Sequence, residues 1–506
     1  MNKVLSISIF LCLYFSVGFA DSESEKPAKT ASPIIGVPEE EIVSEGQLAL
    51  KSGNIPYKAV AGTYHFKDDQ GVVKARFFYI AYTRSDSEDK RTRPIAFCFN
   101  GGPGAASVWM HMGLLGPKRV VFKKDNSNVP PFQFINNEYS LLDATDLVFI
   151  DPISTGYSRA AQGEDSKHFN NVDEDIKSIA EFVRLYTTRN SRWESPKFLF
   201  GESYGTMRAV ELASYLYNKL DLATNGAALI SSVLNFATID ILDQGNDLPF
   251  SLFLPAYTAI AGFHHKLSPG QQADVQGTVR NAEAYAMNEY PLLLLRGDTL
   301  SPEQRRETAL KLSLLTGLSP EFIERVDLRI KPYNFMQELL RSEGKVIGRF
   351  DARVTGRQLS NISEYVGYDP SMDNVISAFT SSFNEYVRND LKWIKDDDYR
   401  VLADLHPWGY GKKAVNRYFN AVPTLRELML RVPAFSVFVA SGYYDLATPS
   451  FGSLYTFNNL NLGEPAGKRL TMKYYPSGHM MYTDHESLVS LSDDLHTYIE
   501  ATLKKE

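Results

Sequence analysis

Cysteine is almost absent from this chain, which has only Cys12 and Cys98 among its 506 residues. Cys12 lies in an N-terminal segment that we expect to be removed, so the mature protein would have no internal disulfide. Small exported domains often depend on disulfides, whereas a chain with a large core does not. The lack of disulfides favours a bacterial exported protein over a eukaryotic lumenal one.

Long apolar runs are also scarce. Lys3 precedes a mostly apolar run at residues 4–17, and Gly18 and Ala20 supply small residues for cleavage after Ala20. This order is typical of a secretory signal peptide at residues 1–20. An uncleaved anchor helix is the alternative, but the run is short for a membrane span. No later run reaches spanning length, so we expect a secreted or periplasmic protein without stable membrane insertion after cleavage.

An excess of positive charge and the common cofactor motifs are missing as well. The formal net charge is -7, so the composition does not indicate nucleic acid as a partner. The chain has no His-Glu-x-x-His, no Cys-x-x-Cys and no glycine-rich phosphate loop after its first strand. The pair His264-His265 has no ligand pattern around it. We therefore predict neither a metal nor a cofactor.

What the chain does contain is a series of short apolar strands. Residues 21–45 are polar and punctuated by proline, which predicts a flexible leader. Two antiparallel strands are predicted from about Ala59 onward. Five apolar strands follow, each ending in a polar loop with glycine, at residues 94–99, 147–150, 197–200, 436–440 and 470–475. Nearly continuous apolar strands predict an α/β fold, with a mixed, mostly parallel central sheet flanked by helices and a site at the carboxyl ends of the strands.

The stretch from about residue 240 to residue 425 has a different, mostly helical pattern. SPEQ at 301–304 and SPEF at 319–322 each place serine at a helix N-cap and proline at the first helical position. We therefore predict a core in two parts, residues 46–240 and 426–506, separated by a helical insertion at 241–425 that caps the active face.

The pentapeptide GESYG at 201–205 follows an apolar strand and precedes an amphipathic helical run. A catalytic serine in a nucleophile elbow occupies a strained turn between a strand and a helix, and it requires an acid and then a histidine later in the chain. An incidental Gly-x-Ser-x-Gly is the alternative. The flanking strand and helix favour Ser203 as a nucleophile.

Asp445 and His479 are the candidates for the acid and the base, because each follows a predicted strand and they occur in the required order. Asp404 is a weaker candidate acid, since it lies in an irregular segment. His485 in a charged loop and His496 inside the last predicted helix are weaker candidate bases.

An oxyanion hole requires the backbone N–H after the nucleophile and another from the loop after an early strand. The first is that of Tyr204. The second belongs to the Asn-Gly-Gly-Pro-Gly run at 100–104, most simply to Gly102, because glycine lets a substrate carbonyl reach the main chain. A tight turn with only a structural role is the alternative.

Five blocks of the sequence together resemble the serine carboxypeptidase family in their order and context: NGGPGAAS at 100–107, DPISTGYS at 151–158, GESYG at 201–205, SGYYDLATP at 441–449 and GHM at 478–480. That family has an α/β-hydrolase fold with a helical insertion over the active site. The resemblance implies a secreted serine exopeptidase that removes the C-terminal residue of peptides, often best at acidic pH.

The resemblance also implies roles for single residues: nucleophile Ser203, general base and acid His479, orienting acid Asp445, oxyanion donors Gly102 and Tyr204, ligands of the substrate's terminal carboxylate Asn100 and Gly101, proton-sharing Glu202, and Met480 in the pocket for the leaving residue. Two carboxyl groups in contact do not readily both stay ionised. This gives a physical reason for an acidic optimum.

Two positions depart from the family pattern. Ala105-Ala106-Ser107 stands where the family usually has Cys-Ser-Ser, and Leu114 stands where it has a second glutamate of the carboxylate site. A leucine side chain cannot hydrogen-bond a carboxylate. Arg159, Arg208 or His111 could take over that task, although a surface position is the plainer interpretation of either arginine.

Leu114 also keeps other functions open. One is an acyltransferase or esterase that uses the same triad. Another is a non-catalytic binding protein on the same fold, although an intact triad argues against it.

Overall fold

The computed structural model describes residues 38–87, 89, 91–363, 366–464 and 466–504. The predicted signal peptide at 1–20 and residues 21–37 of the predicted leader lie outside the described residues. In the described part of the chain, no helix is both long enough and apolar enough to cross a membrane.

A mixed sheet forms the centre of the protein. The described strands are β1 (Glu41–Leu50), β2 (Gly53–Lys67), β3 (Val73–Arg84), β4 (Ile95–Phe99), β5 (Lys118–Val120), β6 (Phe134–Asn136), β7 (Asp146–Asp151), β8 (Arg159–Ala160), β9 (Lys197–Glu202), β10 (Gly226–Ile230), β11 (Lys345–Ile347), β12 (Thr355–Arg357), β13 (Ser436–Gly442) and β14 (Leu470–Tyr475). The sheet order is β1-β2-β3-β7-β4-β9-β10-β13-β14, with β8 paired to β3. Pairing is antiparallel from β1 to β7 and parallel from β7 to β14. The predicted fold class is confirmed.

Helices surround this sheet. They are α1 (Val108–Met110), α2 (Val172–Arg189), α3 (Tyr204–Leu220), α4 (Leu248–Phe263), α5 (Pro269–Gln272), α6 (Val275–Asn288), α7 (Tyr290–Arg296), α8 (Pro302–Thr316), α9 (Pro320–Arg325), α10 (Pro332–Glu338), α11 (Pro370–Asn389), α12 (Val422–Arg431), α13 (Ser450–Asn458) and α14 (His485–Leu503). Side chains of a strand alternate between the two faces of a sheet. Phe198 and Phe200 of β9 accordingly pack in a core with α11 and α14, while Leu199 packs in a second core with α2, α3 and α12.

The insertion has a hydrophobic core of its own, built largely from α4 and the helices α6 to α10. Ser301 and Gln304 form a reciprocal capping box at the start of α8, and the Ser319 side chain caps α9. Both predicted helix openings are confirmed. Leu446 and Phe451, which follow β13, belong to the same core. The insertion therefore packs directly on a loop at the carboxyl edge of the sheet.

Three local features differ from what the sequence led us to expect. The strand β1 begins at Glu41, so the last residues of the predicted leader form an edge strand whose polar side chains face solvent. The strand β10 was not predicted, although its sequence Gly-Ala-Ala-Leu-Ile is fully buried between β9 and β13. His485 begins helix α14 with Asp484 as its N-cap, instead of lying in a loop.

The parallel strands end level with one another. Phe99 is in register with Gly201, and Ile230 is in register with both Glu202 and Ala440. The loops that follow β4, β9, β13 and β14 therefore meet at one edge of the sheet, as expected for a site in an α/β protein.

A buried ion pair at the opposite end of β7 provides a test of the fold. The buried Asp146 carboxylate accepts hydrogen bonds from Arg192 at 2.6 Å and from Arg93 at 2.8 Å. We expect Asp146→Ala to lower the free energy of unfolding by about 3–5 kcal/mol, because it leaves the buried positive charges of Arg192 and Arg93 without their carboxylate partner. Denaturant titration measures the change. Asp86→Ala, which removes a solvent-exposed partner of Arg84, is the control and should change stability little. Equal denaturation midpoints for the Asp146→Ala and Asp86→Ala variants would contradict this account.

Candidate active site

Ser203 lies in a strained turn between β9 and α3, with φ 59° and ψ -129°. Few residues other than glycine adopt positive φ, and such strain is typical of functional positions. Gly201 and Gly205 leave no room for a side chain. A Cβ on Gly201 would lie 2.1 Å from the Gly205 carbonyl oxygen, and one on Gly205 would lie 2.9 Å from the Asn100 carbonyl oxygen. GESYG therefore has the geometry of a nucleophile elbow.

His479 and Asp445 are in direct contact: His479 Nδ1 lies 2.7 Å from Asp445 Oδ2. The Asp445 carboxylate is fully buried and also accepts hydrogen bonds from the Ala447 N–H at 2.7 Å and from the Thr448 N–H at 3.0 Å and hydroxyl at 2.7 Å. Four donors on one carboxylate leave it fixed in orientation. Its charge then fixes the tautomer of His479, with the proton on Nδ1 and Nε2 free to accept.

The electrostatics at His479 favour its charged form. Burial disfavours charge on the imidazole, but the facing Asp445 carboxylate and its hydrogen bond outweigh burial and raise the pKa of His479 above its usual value. The backbone N–H of His479 donates to the Phe350 carbonyl at 2.6 Å, and its carbonyl accepts from the Ser231 hydroxyl at 2.6 Å. His479 and Ser203 line the same cavity. The structure thus brings the three predicted triad residues together.

The competing acid and bases lie elsewhere. The Asp404 side chain pairs with His406 in an exposed segment. His496 lies in α14 and bonds to Asp143 at 2.7 Å. His485 packs edge-on against Tyr139.

The predicted oxyanion donors face the same cavity. Gly102, with φ 101°, and Tyr204 both line it beside Ser203. A Cβ on Gly101 would lie 2.6 Å from the Tyr204 nitrogen and 2.6 Å from the Glu202 carbonyl oxygen. The loop after β4 therefore lies directly against the elbow, and Gly102 and Tyr204 line the cavity together with Ser203.

Arg208 connects the loop after β4 with the start of α3 on the buried side of the site. Its guanidinium donates to the Asn100 carbonyl and, at 2.8 Å, to Asp175, which also accepts from the Tyr204 hydroxyl at 3.1 Å. Arg208 is fully buried in this ion pair. It therefore supports the site and does not reach a substrate carboxylate.

The other candidate substitutes for the missing glutamate are also engaged elsewhere. Arg159 donates to the backbone carbonyls of Gly156 at 2.7 Å and Ser158 at 2.9 Å, and to that of Asp398. His111 is buried against the Tyr82 hydroxyl at 2.8 Å, and burial lowers its pKa to about 3. Neither residue lines the cavity that holds Ser203.

The predicted carboxylate-binding residues do converge on this cavity, which Asn100, Gly101, Glu202 and Met480 all line. Glu202 is 4 % exposed, and burial raises the pKa of its carboxyl to about 7. The side chain of Asn100 accepts the Met110 N–H at 3.1 Å through its oxygen. Its amide remains to hydrogen-bond Glu202. An uncommonly basic carboxyl group thus sits next to the triad.

Tyr482 is the direct partner of Glu202. Its hydroxyl donates to Glu202 Oε2 at 2.7 Å, and both groups are buried. The Tyr482 ring lies against the helical turn that carries Leu114, since a Cβ on Gly113 would lie 2.4 Å from that ring. Leu114 itself is buried in the hydrophobic core. Glu202 therefore has a phenol as its hydrogen-bond partner, and Leu114 contributes to the core instead of to the cavity.

Three residues at the site carry no recognisable signal in the sequence. Tyr482 stands a short distance after His479, but nothing there indicates a hydroxyl aimed at Glu202. Arg349 and Phe350 come from the insertion, far from every motif, and line the cavity with Ser203. The Phe350 ring packs edge-on against His479, with ring centroids 5.0 Å apart.

Known proteins are similar to this chain in sequence and in fold. A family model described as serine carboxypeptidase matches residues 52–489. Serine carboxypeptidase-like 33 of Arabidopsis thaliana is 29% identical over 156 residues, 30% of this chain and 30% of the plant protein. The pheromone-processing carboxypeptidase KEX1 of Saccharomyces cerevisiae is 29% identical over 169 residues, 33% of this chain and 21% of the yeast protein. Each sequence match spans less than a third of the relative's length.

A solved structure extends the likeness to most of the fold. The crystal structure of Kex1(delta)p, a prohormone-processing carboxypeptidase from Saccharomyces cerevisiae, superposes with a TM-score of 0.56 at 17% identity. The superposition covers 88% of this chain and 92% of that chain. Sheet order, elbow and insertion are those of an α/β-hydrolase fold. Since the family model matches residues 52–489, the chain belongs to the serine carboxypeptidase family.

Proposed function

We propose that this protein is an exported serine carboxypeptidase that hydrolyses the C-terminal peptide bond of its substrates. The N-terminal sequence pattern supports export. The observation that carries the activity is the buried Glu202 carboxyl, which lines the same cavity as Ser203 and His479. A carboxyl with a pKa near 7 is protonated at mildly acidic pH and can donate a hydrogen bond to a substrate carboxylate, which places the chain terminus beside the nucleophile.

The proposed reaction has two steps. Ser203 Oγ attacks the carbonyl carbon of the terminal peptide bond while His479 Nε2 takes its proton, and the Gly102 and Tyr204 N–H groups stabilise the oxyanion. The C–N bond then breaks, and the proton passes from His479 to the leaving amine. Water attacks the acyl-enzyme with His479 as the base, the ester bond breaks, and Ser203 regains its proton.

Leu114 gives one specific reason to consider esterase or acyltransferase activity, since the second glutamate of the terminal-carboxylate site is missing. Such an enzyme would use the same triad and show no dependence on a free C-terminus. A non-catalytic binding protein would not form an acyl-enzyme at all. The next three experiments separate these functions.

The first prediction concerns the nucleophile. We expect a fluorophosphonate probe to label the protein at Ser203, and Ser203→Ala to abolish labelling and lower kcat/KM by roughly 10⁴-fold or more. Ser214→Ala, on the same helix α3, is the matched control and should label like the wild type. Labelling that persists in Ser203→Ala would reject the proposed nucleophile.

The second prediction concerns pH. Below about pH 7 Glu202 is protonated and donates to a terminal carboxylate, whereas above it the ionised group repels that carboxylate. For N-blocked dipeptides with free C-termini, kcat/KM should therefore fall about tenfold per pH unit above that point. For the matched methyl esters it should instead rise as His479 loses its proton and then level off. Glu202→Gln should remove the alkaline fall for dipeptides. If kcat/KM depended on pH in the same way for the free dipeptides and for their methyl esters, the result would favour the esterase alternative.

The third prediction concerns Tyr482, whose hydroxyl favours the ionised form of Glu202. Tyr482→Phe removes that donor, so the pKa of Glu202 should rise and the alkaline limb for free dipeptides should move up by roughly one unit. The profile for the methyl esters should keep its shape. Tyr475→Phe is the matched control, because that buried tyrosine donates to Asp494 at 2.8 Å, away from the cavity. A shift of equal size in both variants would show an indirect structural effect.

A further inference from the structure

The active-site cavity opens into a larger groove. The groove has a volume of about 670 Å³ and shares Gly102, Phe236, Ile239, Arg349 and Ala447 with the cavity that holds Ser203. Its remaining wall is largely apolar and aromatic, with Phe253, Tyr333, Tyr410 and Phe419. The two spaces therefore form one continuous path past the nucleophile.

The groove lies on the acyl side of the nucleophile. Asn100, Glu202 and Met480, which surround the proposed position of the terminal carboxylate and leaving residue, line the cavity but not the groove. Met480 and Phe350 instead join the cavity to a separate space. A substrate whose C-terminus points at Glu202 would thus direct its remaining residues toward the groove, and Arg349 would lie where the two spaces meet.

The backbone of Arg349 is fixed on both sides. Its N–H donates to Asp369 Oδ1 at 3.1 Å, and its carbonyl accepts the Leu446 N–H at 2.9 Å. Leu446 directly follows the triad acid Asp445. The position of Arg349 relative to the triad is therefore set by main-chain hydrogen bonds, which a change of its side chain would leave in place.

The guanidinium of Arg349 has no carboxylate partner among the described residues. The guanidinium lies over the Phe350 ring, 5.2 Å from its centroid, and its positive charge disfavours the charged form of His479. Neighbouring arginines of the insertion behave differently, since Arg329, Arg341 and Arg353 each pair with an acidic side chain. Arg349 is half-buried, and a half-buried cation is stabilised by an anion that binds beside it.

Other charges in the groove do not neutralise Arg349. Asp240 lines the groove, but its carboxylate accepts the Leu242 N–H at 2.9 Å within its own loop. Arg417 lines it as well and donates to the Lys413 carbonyl at 2.7 Å. The fixed charges of the groove are thus two cations and one anion, which favours a negatively charged occupant.

We propose that Arg349 binds the side-chain carboxylate of a glutamate or aspartate on the acyl side of the scissile bond, so that peptides with an acidic penultimate residue are the preferred substrates. This proposal rests on the proposed carboxypeptidase function. Arginine suits the task because its planar guanidinium can hold a carboxylate through two parallel hydrogen bonds. The same charge would repel lysine or arginine at that position of the substrate.

Four N-blocked dipeptides test this, with glutamate or glutamine as the penultimate residue and a free or amidated C-terminus. We expect wild-type kcat/KM for the glutamate peptides to exceed that for the glutamine peptides by about tenfold or more. Arg349→Gln should remove this ratio, and Arg349→Lys should restore part of it. Arg357→Gln is the matched control. Arg357 is an exposed arginine of β12, pairs with Lys345 of the nearby strand β11, and lines neither the cavity nor the groove.

Two outcomes would overturn the proposal. One is a glutamate-to-glutamine ratio that Arg349→Gln leaves unchanged. The other is an Arg349→Gln enzyme that loses the preference for free over amidated C-termini with both penultimate residues, which would assign Arg349 to the terminal carboxylate.

Calorimetry separates this proposal from the carboxypeptidase function. The same peptides are titrated into Ser203→Ala and into Ser203→Ala/Arg349→Gln, so binding is measured without hydrolysis. A wild-type enzyme that cleaves none of the peptides would reject the carboxypeptidase function. Tighter binding of glutamate peptides that disappears in the double variant would still support the role of Arg349, and equal binding of both peptide types by Ser203→Ala would reject it.

Discussion

The strands β4 and β9 end side by side, and the loops that follow them approach more closely than side chains would allow. A Cβ on Gly101 would lie 2.6 Å from the Tyr204 nitrogen, and one on Gly205 would lie 2.9 Å from the Asn100 carbonyl oxygen. This contact between two main chains places Ser203, Gly102, Tyr204, Asn100 and Glu202 around one small cavity. Arg208 secures it from the buried side by binding Asp175 and the Asn100 carbonyl. The rest of the site is arranged around this contact.

The two buried carboxyl groups of the site differ in their surroundings, and this difference separates their roles. Asp445 faces an imidazole and accepts three further hydrogen bonds from Ala447 and Thr448. Glu202 has fewer donors, and burial raises the pKa of its carboxyl to about 7. In the proposed reaction the first carboxylate stabilises positive charge on His479, while the second group, when protonated, donates a hydrogen bond to the terminal carboxylate of the substrate.

The proximity of Ser203, Asp445 and His479 is predictable from sequence because their positions follow from strand order. Parallel strands end at one edge of a sheet, so residues just after five apolar strands must be neighbours, whatever their separation along the chain. Edge strands are harder to predict. The strand β1 has polar residues facing solvent and no continuous apolar pattern, so its first five residues fit a leader as well as a strand. Helix openings in the insertion were predictable because the Ser-Pro-Glu pattern is a local signal.

Tyr482 and Arg349 could not be predicted, because their roles depend on where side chains point after distant segments pack. Tyr482 reaches Glu202 only because Gly113, on the turn that carries Leu114, leaves room for its ring. Arg349 meets the cavity only because the insertion bonds to the loop after Asp445 through the Leu446 N–H. Neither contact has a spacing or periodicity that a sequence pattern would reveal.

A phenol as the direct partner of Glu202 allows different chemistry from a second carboxyl. Two facing carboxyl groups would share a proton and titrate as a coupled pair. Burial instead raises the pKa of Tyr482 well above its usual value, so its hydroxyl remains a donor throughout the range in which Glu202 ionises. Of this hydrogen-bonded pair only Glu202 titrates, and its tyrosine partner favours its ionised form while burial favours the neutral one. Leu114 therefore does not leave Glu202 without a partner. Its partner, the Tyr482 hydroxyl, cannot accept the proton that Glu202 loses. In the proposed reaction, binding of the substrate carboxylate therefore depends on one ionisation instead of two.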